Sequence, residues 1–314
     1  MFHEKTEHAA KGKWKGILLE LGLPERSLNG KHGPCPLCGG NDRFRWDNKE
    51  GRGTYICSGC GAGSGMQLAE KYTGKPFVEV ANEIDRLLGN KKFEPDAIKP
   101  ELTQDKRREF LRAVWIDTEP VQPGDLVDRY LRSRGIEEGA YAASLRFAKR
   151  LRDGEGGVRP CMVALVGRPG EAKFETMHRT FLKPDGSGKA EMASPRKLMP
   201  GPLSDGCCVM LSDWGGSGPI GIAEGIETAM AASVLFDIPV WASINALMME
   251  RWWPPEGATE VAIFGDRDEK YAGQAAAFRL AHRLAVKGVE VSLHFPKKVN
   301  WDWNDVLLSK RGES

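Results

Sequence analysis

The sequence predicts an α/β protein in which a mostly parallel sheet with flanking helices is preceded by a mixed α+β region and a small β module. Between residues 219 and 295, short apolar runs alternate with helical patterns, as expected when helices connect the strands of a parallel sheet. Nearer the start of the chain, four of the seven cysteines form two Cys-x2-Cys pairs in one short window. This spacing is typical of a small metal-binding module.

Length and composition are those of an ordinary globular chain. With 314 residues, of which 41% are hydrophobic and 28% charged, two or three domains are expected. No run approaches the roughly 20 apolar residues of a membrane span, and the first residues have no apolar signal core. We therefore expect a cytoplasmic protein without a membrane partner. The net charge of +2 argues against a uniformly basic coat for nucleic acid.

Changes in composition along the chain divide it into four predicted parts. Residues 1–90 form a zinc-ribbon domain with the helices that follow it, and residues 91–104 form a linker with two prolines and many charges. Residues 105–215 form a basic α+β middle region. Residues 216–314 form the last domain, in which strands and helices alternate.

The cysteine pairs predict a structural zinc site. Cys35-x2-Cys38 and Cys57-x2-Cys60 are 18 residues apart, which suits a four-thiolate site, and glycines at both pairs permit tight turns. No ligand position is left open, so we expect this metal to support folding rather than catalysis. His32 is a possible competing ligand, although a solvated or hydrogen-bonded histidine is the favoured interpretation.

Basic and aromatic residues alternate between the two cysteine pairs. Strand geometry places Arg43 and Arg45 on one face and Phe44 and Trp46 on the other. Cations beside aromatic rings suit single-stranded nucleic acid, so Arg43, Arg45 and Trp46 are candidate contacts. The alternative is that the two aromatic rings cover the core of the ribbon. Further on, apolar residues between 77 and 88 recur at helical spacing and predict a helix that packs on the ribbon.

The middle region carries a local excess of positive charge. Residues 142–200 contain twelve Lys or Arg against six Asp or Glu, an excess of 12 − 6 = 6. Strand-like runs occur at 161–166, 175–182 and 207–211, and Pro184-Asp185-Gly186 predicts a hairpin turn. The cations near this turn predict a surface that holds a template strand or a nucleoside triphosphate. The candidate contacts are His178, Arg179, Lys183 and Lys189; the alternative is an ordinary exposed hairpin.

In the last domain, acidic residues follow three of the predicted strands. Glu224 follows the run 220–223, Asp266 and Asp268 follow 261–264, and Asp302 and Asp305 come after 289–295. Ligands of open α/β sheets bind beyond the carboxyl ends of the strands, so we expect these carboxylates to meet there. Clustered carboxylates favour a divalent cation, and oxygen ligands suit magnesium or manganese. The alternative is that each acid merely caps a helix.

These motifs resemble those of Toprim-domain DNA primases with an N-terminal zinc ribbon. Glu224 followed by Asp266-x-Asp268 resembles the Toprim domain of primases, topoisomerases and some nucleases. Together with the ribbon text PCPLCGGNDRFRW…CSGCGAGSG, the pattern is similar to primases of satellite phages and conjugative plasmids. Their Glu-Gly-Tyr-Ala-Thr-Ala motif reads Glu-Gly-Ile-Glu-Thr-Ala here, from Glu224 onward. Thr228 stands where the bacterial replicative enzymes carry an Asp.

The resemblance implies an activity and a set of roles. It implies a nucleotidyltransferase that joins ribonucleoside triphosphates into short RNA on a single-stranded DNA template during DNA replication. Glu224 would act near the reacting hydroxyl or on the metal, and Asp266 and Asp268 would bind magnesium; Asp302 and Asp305 would be further ligands. The sequence contains no GxxxxGK[ST] motif, so a separate replicative helicase is implied as a partner.

Two other functions compete with this prediction. A Toprim nuclease or topoisomerase is the first, but a topoisomerase needs a nucleophilic tyrosine, and Tyr271 is the only tyrosine in the last domain. The second is a zinc-dependent module that binds single-stranded DNA without catalysis. It is supported by the departures at Ile226 and Thr228, and the intact Glu224, Asp266 and Asp268 argue against it.

Overall fold

The computed structural model describes residues 3–137, 141–171, 173–201 and 203–312. The chain forms two compact units, Met1–Thr103 and Gln104–Ser314. No helix in the described ranges is long and apolar enough to cross a lipid bilayer.

The first unit surrounds a small antiparallel sheet in the order β1-β2-β3-β4. Its elements are α1 (His3–Ala10), α2 (Trp14–Glu20), a 3-10 helix (Glu25–Leu28), β1 (Gly33–Cys35), β2 (Gly39–Trp46), β3 (Tyr55–Cys57), β4 (Gly61–Gly63), α3 (Gly65–Thr73) and α4 (Phe77–Asn90). The predicted helix around residues 77–88 is confirmed as α4, and it buries Val80, Ala81 and Ile84 in the core of this unit. Phe44 stacks on Tyr55 in the same core, with ring centroids 5.5 Å apart.

Residues 91–103, most of the predicted linker, belong to the first unit. The Asp96 carboxylate accepts a hydrogen bond from the main-chain N–H of Lys15 at 3.1 Å and one from the Asn48 side chain at 3.3 Å. Lys13, the residue before α2, makes no side-chain cap, so Asp96 serves the start of that helix from a distant part of the chain. The prolines and charges of this segment predicted a linker. The contacts of Asp96 join distant parts of the chain and leave no local pattern, so the sequence did not reveal them.

The second unit begins with an antiparallel sheet in the order β5-β6-β7-β8-β9. Its elements are α5 (Gln104–Ile116), β5 (Glu119–Pro120), α6 (Leu126–Ser133), β6 (Leu145–Arg152), β7 (Val158–Gly167), β8 (Phe174–Phe181) and β9 (Arg196–Leu198). The predicted turn at Pro184 is confirmed, since Lys183 and Gly188 pair across it. The run 207–211 is not a strand: Cys208 bridges to Gly167 and Val209 to Ala242, single pairings to two different sheets.

A parallel sheet in the order β11-β10-β12-β13 completes this unit. Its elements are β10 (Gly218–Ala223), α7 (Ile226–Phe236), β11 (Val240–Ala242), α8 (Ala246–Arg251), β12 (Ala258–Phe264), α9 (Ala272–Ala285), β13 (Glu290–His294) and α10 (Trp303–Gly312). The predicted alternation of strands and helices is thereby confirmed.

Strand register brings the carboxyl ends of β10, β12 and β13 to one level. Ala223 pairs with Phe264, and Phe264 pairs with His294. Side chains alternate between the two faces, so Ile222 and Ile263 lie in one core with α9, while Ala223 and Phe264 lie in another core with α7 and α10. With both faces of the sheet covered, the turns after the strands form its accessible edge.

Candidate functional site

The first candidate site consists of the four paired cysteines. Their Sγ atoms all lie within 4.8 Å of one another, with 3.6 Å separating Cys35 from Cys60 and Cys38 from Cys57. Four thiolates around zinc stand about 3.8 Å apart, because each Zn–S bond is about 2.3 Å, whereas a disulfide would need about 2.05 Å. The four thiols therefore have the spacing of a tetrahedral zinc site.

Main-chain N–H groups and neighbouring thiols form hydrogen bonds with these sulfur atoms. The main-chain N–H groups of Leu37 and Gly59 donate to the Sγ atoms of Cys35 and Cys57 at 3.4 Å. A hydrogen bond with the Cys60 thiol lowers the pKa of Cys57 to about 5, whereas the same bond raises the pKa of Cys60 and burial raises that of Cys38 to about 11. Of these three thiols, Cys57 most readily forms the thiolate that a metal requires. His32 lies outside this group, and its Nδ1 is 3.0 Å from the carbonyl oxygen of Asp42.

The proposed nucleic-acid contacts of the ribbon have different environments. The Arg43 guanidinium lies close to Gly59, in the turn of the second cysteine pair. A Cβ added to Gly59 would lie 2.9 Å from this guanidinium and 3.2 Å from the Cys38 sulfur. Arg45 is half-buried and close to Asp47, at 3.9 Å. Trp46 is only 6% exposed and belongs to the core of the first unit. This burial argues against a base contact by Trp46 and favours the alternative, that it covers the ribbon core.

The second candidate site lies at the carboxyl edge of the parallel sheet, around Asp266. Burial first, and then the carboxylates of Glu224 and Asp302, raise the pKa of Asp266 to about 8. Its Oδ1 is buried and has no hydrogen-bond donor among the described residues. A carboxylate without a donor, surrounded by like charges, is stable only when protonated or bound to a cation. Among the described residues, only the four cysteines have their ligand atoms close enough together to hold a metal as they stand, so a divalent cation beside Asp266 remains a prediction that rests on its electrostatics and on the donorless Oδ1.

Asp268 caps α9 in this structure. Its carboxylate accepts hydrogen bonds from the main-chain N–H groups of Lys270, Ala272 and Gly273 at 3.1, 3.0 and 2.8 Å. Its charge also contributes to the raised pKa of Asp266, after burial and the carboxylates of Glu224 and Asp302. The helix-cap interpretation is therefore confirmed for Asp268, and the role of this side chain as a metal ligand stays a prediction.

Asp302 and Asp305 form a reciprocal cap at the start of α10. The main-chain N–H of Asp302 donates to Asp305 Oδ2 at 3.0 Å, and that of Asp305 donates to Asp302 Oδ1 at 2.9 Å. Asp302 Oδ2 accepts the Thr228 hydroxyl at 3.4 Å, and its charge acts on Asp266. Of this pair, Asp302 is thus the carboxylate tied to both α7 and Asp266.

A buried acid three residues after Glu224 holds one of the predicted cations. Glu227 is 5% exposed, accepts a hydrogen bond from the Tyr130 hydroxyl, and lies 3.1 Å from the Lys189 ammonium. Burial alone would raise the pKa of Glu227, but the Lys189 charge and the Tyr130 hydrogen bond outweigh it and hold that pKa at about 2. Lys189 is therefore fixed by an ion pair beside the acidic turn.

The remaining cations proposed near the hairpin differ in accessibility. His178 is 8% exposed, and burial lowers its pKa to about 4, so its imidazole is neutral at pH 7. Arg179 donates to the carbonyl oxygen of Leu198 at 3.2 Å and lies over the Phe181 ring. Lys183 is exposed and pairs with Glu191 at 2.9 Å. The burial of His178 argues against direct contact with a DNA strand, whereas Arg179 is only partly buried and its guanidinium is engaged by a main-chain carbonyl oxygen.

Sequence analysis missed Arg196, an exposed residue at the start of β9. Thr180 pairs with Arg196 across the sheet, and the positive charge of this arginine acts on Asp266, Glu227 and His178. Arg196 therefore lies within electrostatic range of both the acidic turn and the buried ion pair. The only sequence signal was a Pro-Arg-Lys run in the basic region, which does not reveal a partner on another strand.

Three parts of the chain match described families. Residues 30–66 match the zinc-binding domain of primase-helicase, and residues 219–313 match the Toprim domain. The region between them, residues 105–210, matches a domain of unknown function (DUF7146).

Solved primase structures are similar at low identity. The zinc-binding and RNA polymerase domains of the Aquifex aeolicus primase are 15% identical over 98% of this chain and 83% of that chain, with a TM-score of 0.42. The primase fragment of the bacteriophage T7 primase-helicase protein is 16% identical over 90% of this chain and 96% of that chain, with a TM-score of 0.41.

A DNA primase domain from Pseudomonas aeruginosa is 13% identical over 52% of each chain, with a TM-score of 0.36. The family matches coincide with the two sites described above: the cysteine cluster lies inside the first match and the acidic turns lie inside the second. The chain thus carries a Toprim domain and, before it, a zinc ribbon of the primase type.

Proposed function

We propose that this protein is a DNA primase that synthesises short RNA primers on single-stranded DNA by magnesium-dependent nucleotidyl transfer. The observation that carries the proposal is the acidic edge of the Toprim sheet, where Glu224 and Asp302 act on a partly buried Asp266 whose Oδ1 is buried and lacks a donor among the described residues. The primase-type ribbon in the same chain favours primer synthesis over the other reactions of Toprim domains.

Glu224, Asp266 and Asp302 are the residues that would hold magnesium, with Asp268 and Asp305 as further acidic candidates. When bound, the ion would activate the attacking 3′-oxygen and offset charge on the leaving pyrophosphate. Thr228 donates to Asp302 and so orients one of these carboxylates. Glu224, at the turn before α7, would accept the proton of the attacking hydroxyl or contribute to the metal site.

Cations near the acidic edge would bind the nucleoside triphosphate. Lys189 is held beside α7 by Glu227, and Arg196 acts on the same region from β9. A fixed ammonium and a guanidinium suit phosphate oxygens, the guanidinium because it can donate two parallel hydrogen bonds. Lys183 on the exposed hairpin would reach the nucleotide or the template, while His178 and Arg179 would support the strand that carries them.

The zinc ribbon would help to select the template, with Arg43 and Arg45 as the partly exposed candidate contacts on β2. We propose that a separate replicative helicase supplies the single strand and that the protein replicates a phage, a plasmid or another mobile element. A cytoplasmic location fits the four-thiolate zinc site, because such thiols stay reduced in that compartment.

The test is template-dependent RNA synthesis. Single-stranded DNA, four ribonucleotides and magnesium are incubated with the wild-type protein and with Asp266→Ala, and the products are separated by size. Short RNA from the wild type alone would support the proposal. Cleaved template without new RNA would indicate a Toprim nuclease, and DNA binding without any product, even after a helicase is added, would indicate a binding module.

A further inference from the structure

Two loops beside the acidic edge carry cations and aromatic rings that the proposed reaction does not use. The first follows β12 and contains Arg267, Lys270 and Tyr271; the second follows β13 and contains Lys297, Lys298 and Trp301. We call these six residues the lysine–tryptophan surface. Arg267 lies between Asp266 and Asp268, and Trp301 directly precedes Asp302, so the surface begins one residue away from the candidate metal ligands.

Main-chain hydrogen bonds join the two loops side by side. The N–H of Arg267 donates to the carbonyl oxygen of Trp301 at 3.1 Å, and the N–H of Asn300 donates to that of Arg267 at 2.6 Å. The Arg267 guanidinium donates to the carbonyl oxygen of Lys297 at 2.8 Å. The Asn300 side chain also donates to Glu269 at 3.0 Å. These bonds join the two loops that carry the aromatic rings and the lysines.

The surface is accessible and its lysines have no ion-pair partner among the described residues. Tyr271 is 69% exposed, although it lies at the start of a helix with φ of 58°. The Lys298 ammonium lies 4.1 Å from the centroid of the Trp301 ring. Lys297 and Lys298 extend into solvent next to an exposed Val299.

Electrostatics and stacking favour one class of partner. A phosphate chain that approaches clustered carboxylates is repelled, so a strand bound there requires cations close to the acids. An exposed cation–π contact contributes less free energy than a base stacked on an aromatic ring. A base can therefore replace Lys298 on Trp301, and the released ammonium can bind the adjacent phosphate. A protein partner is less favoured, because lysine is depleted at protein–protein interfaces relative to the rest of the surface.

We propose that the lysine–tryptophan surface binds single-stranded nucleic acid next to the acidic edge, with Trp301 and Tyr271 as stacking residues and the lysines as phosphate contacts. The inference rests on the proposed function for the identity of the strand, namely the template. The binding itself is a property of the surface and can be measured without catalysis.

Binding of a fluorescent oligothymidylate to the full chain tests the stacking role. Trp301→Ala should weaken the affinity roughly 5- to 100-fold, the range for losing one stacked base, while Trp301→Phe should stay close to the wild type. Trp253→Ala is the matched control, because Trp253 is also partly exposed and has the Arg283 guanidinium 4.3 Å above its ring, but it precedes β12. Equal affinity of Trp301→Ala and Trp253→Ala would overturn the proposal.

The salt dependence of the same affinity tests the lysines. Removing one phosphate contact lowers the slope of log affinity against log salt by about 0.7 for a single strand. Lys297→Ala should show this change, whereas Lys287→Ala, an exposed lysine before β13, should not. Unchanged slopes in both variants would contradict the phosphate role. Unchanged slopes together with an unchanged affinity of Trp301→Ala would overturn the inference and favour a protein partner instead.

Ultraviolet crosslinking separates this inference from the proposed function. A bromouracil-containing strand should crosslink to the peptide that contains Trp301 or to the one that contains Tyr271, whether or not RNA is made. Crosslinks at these peptides in a protein that makes no primers would support the surface and reject the primase. The opposite result would be primer synthesis by the wild type without crosslinks at these two peptides, together with wild-type affinity of Trp301→Ala for the strand. It would support the primase and reject the surface.

Discussion

Asp266 is stabilised in its protonated form, and this has a consequence for stability. Burial and the neighbouring Glu224 and Asp302 carboxylates raise the pKa of Asp266 to about 8 from the ordinary aspartate value of 3.8. Between these values the folded state holds more protons than the unfolded state, so without metal the stability falls as pH rises from about 4 to about 8. Magnesium would offset the repulsion among these carboxylates, so we expect the folded protein to be less stable without the ion.

We therefore predict that Asp266→Asn raises the thermal stability of the metal-free protein, and more so at pH 8 than at pH 5. Asparagine keeps the shape of the side chain and cannot ionise, so the pH-dependent repulsion disappears. Magnesium should raise the melting temperature of the wild type but barely that of the variant. Thermal unfolding at both pH values checks this, with Asp237→Asn on the exposed end of α7 as a control that should change little. Loss of stability at pH 8 in Asp266→Asn would contradict it.

The ion pair between Glu227 and Lys189 is the second consequence at this scale. Removing one partner of a buried pair leaves an uncompensated charge, at a cost of about 3 kcal/mol. We predict that Glu227→Gln destabilises the protein by roughly this amount in urea unfolding. Lys189→Met alone should also destabilise, because Glu227 is almost fully buried and loses its ion-pair partner while keeping the Tyr130 hydrogen bond.

The double variant Glu227→Gln with Lys189→Met decides between pairing and packing. If the two charges stabilise each other, the double variant should lose less stability than the sum of the single losses, since no charge is then left without a partner. Additive losses would mean that each side chain acts through its own packing and that the pair is incidental.

Among the elements, the zinc ribbon depends on its metal because its strands are short. β1, β3 and β4 have three residues each, and so small a sheet gains little from its ladder alone. The four cysteines lie in or next to β1, β2, β3 and β4, so the metal would join the two turns of the sheet.

We predict that Cys57→Ser abolishes stoichiometric zinc and unfolds the ribbon, because three thiolates no longer close the site. Zinc content by mass spectrometry under native conditions and tryptophan fluorescence are the measurements. Cys161→Ser is the control: Cys161 is also buried but belongs to β7, so the zinc content should remain one per chain. Retained zinc in Cys57→Ser with native fluorescence would reject the four-cysteine site.

The acidic turns show why elements are easier to predict than the roles of their residues. Alternating apolar runs located the strands and so located the acids at the carboxyl edge. An acid after a strand has the same spacing whether it caps the next helix or binds a metal. Asp268 and Asp302 each cap a helix here, and the charges of both also act on Asp266. Local spacing could not separate these roles because both use the same side chain.

Across the whole molecule, long-range contacts account for what the sequence did not predict. Trp46 and His178 were candidate contacts by residue type, but their burial depends on strands and helices that pack from elsewhere in their units. Arg196 was missed because its relation to Asp266 follows from the pairing of β8 with β9. The Asp96 cap on α2 spans 81 residues and has no local signature. Motif spacing did predict the cysteine cluster and the position of the acids at the carboxyl edge, because these residues lie in or next to regular strands, while the magnesium site stays a prediction.

The two compact units have separate hydrophobic cores, and each carries one of the two proposed metal sites, so each metal should protect its own unit. The cysteine cluster lies in the first unit and the acidic edge in the second. A ligand that binds only the folded state stabilises it by mass action, and the effect is confined to the region whose folding creates the site. We predict that magnesium slows hydrogen exchange at the turns after β10 and β12, while zinc removal accelerates exchange between residues 30 and 66.

Hydrogen–deuterium exchange with mass spectrometry measures both effects in the intact chain. Zinc is removed with a chelator that leaves magnesium in solution, and magnesium is titrated into the zinc-loaded protein. Asp266→Ala should lose the magnesium effect and keep the zinc effect, whereas Cys57→Ser should show the reverse. If magnesium protected residues 30–66 to the same extent as the acidic turns, the two sites would be thermodynamically linked. The assignment of one metal to each unit would then be wrong.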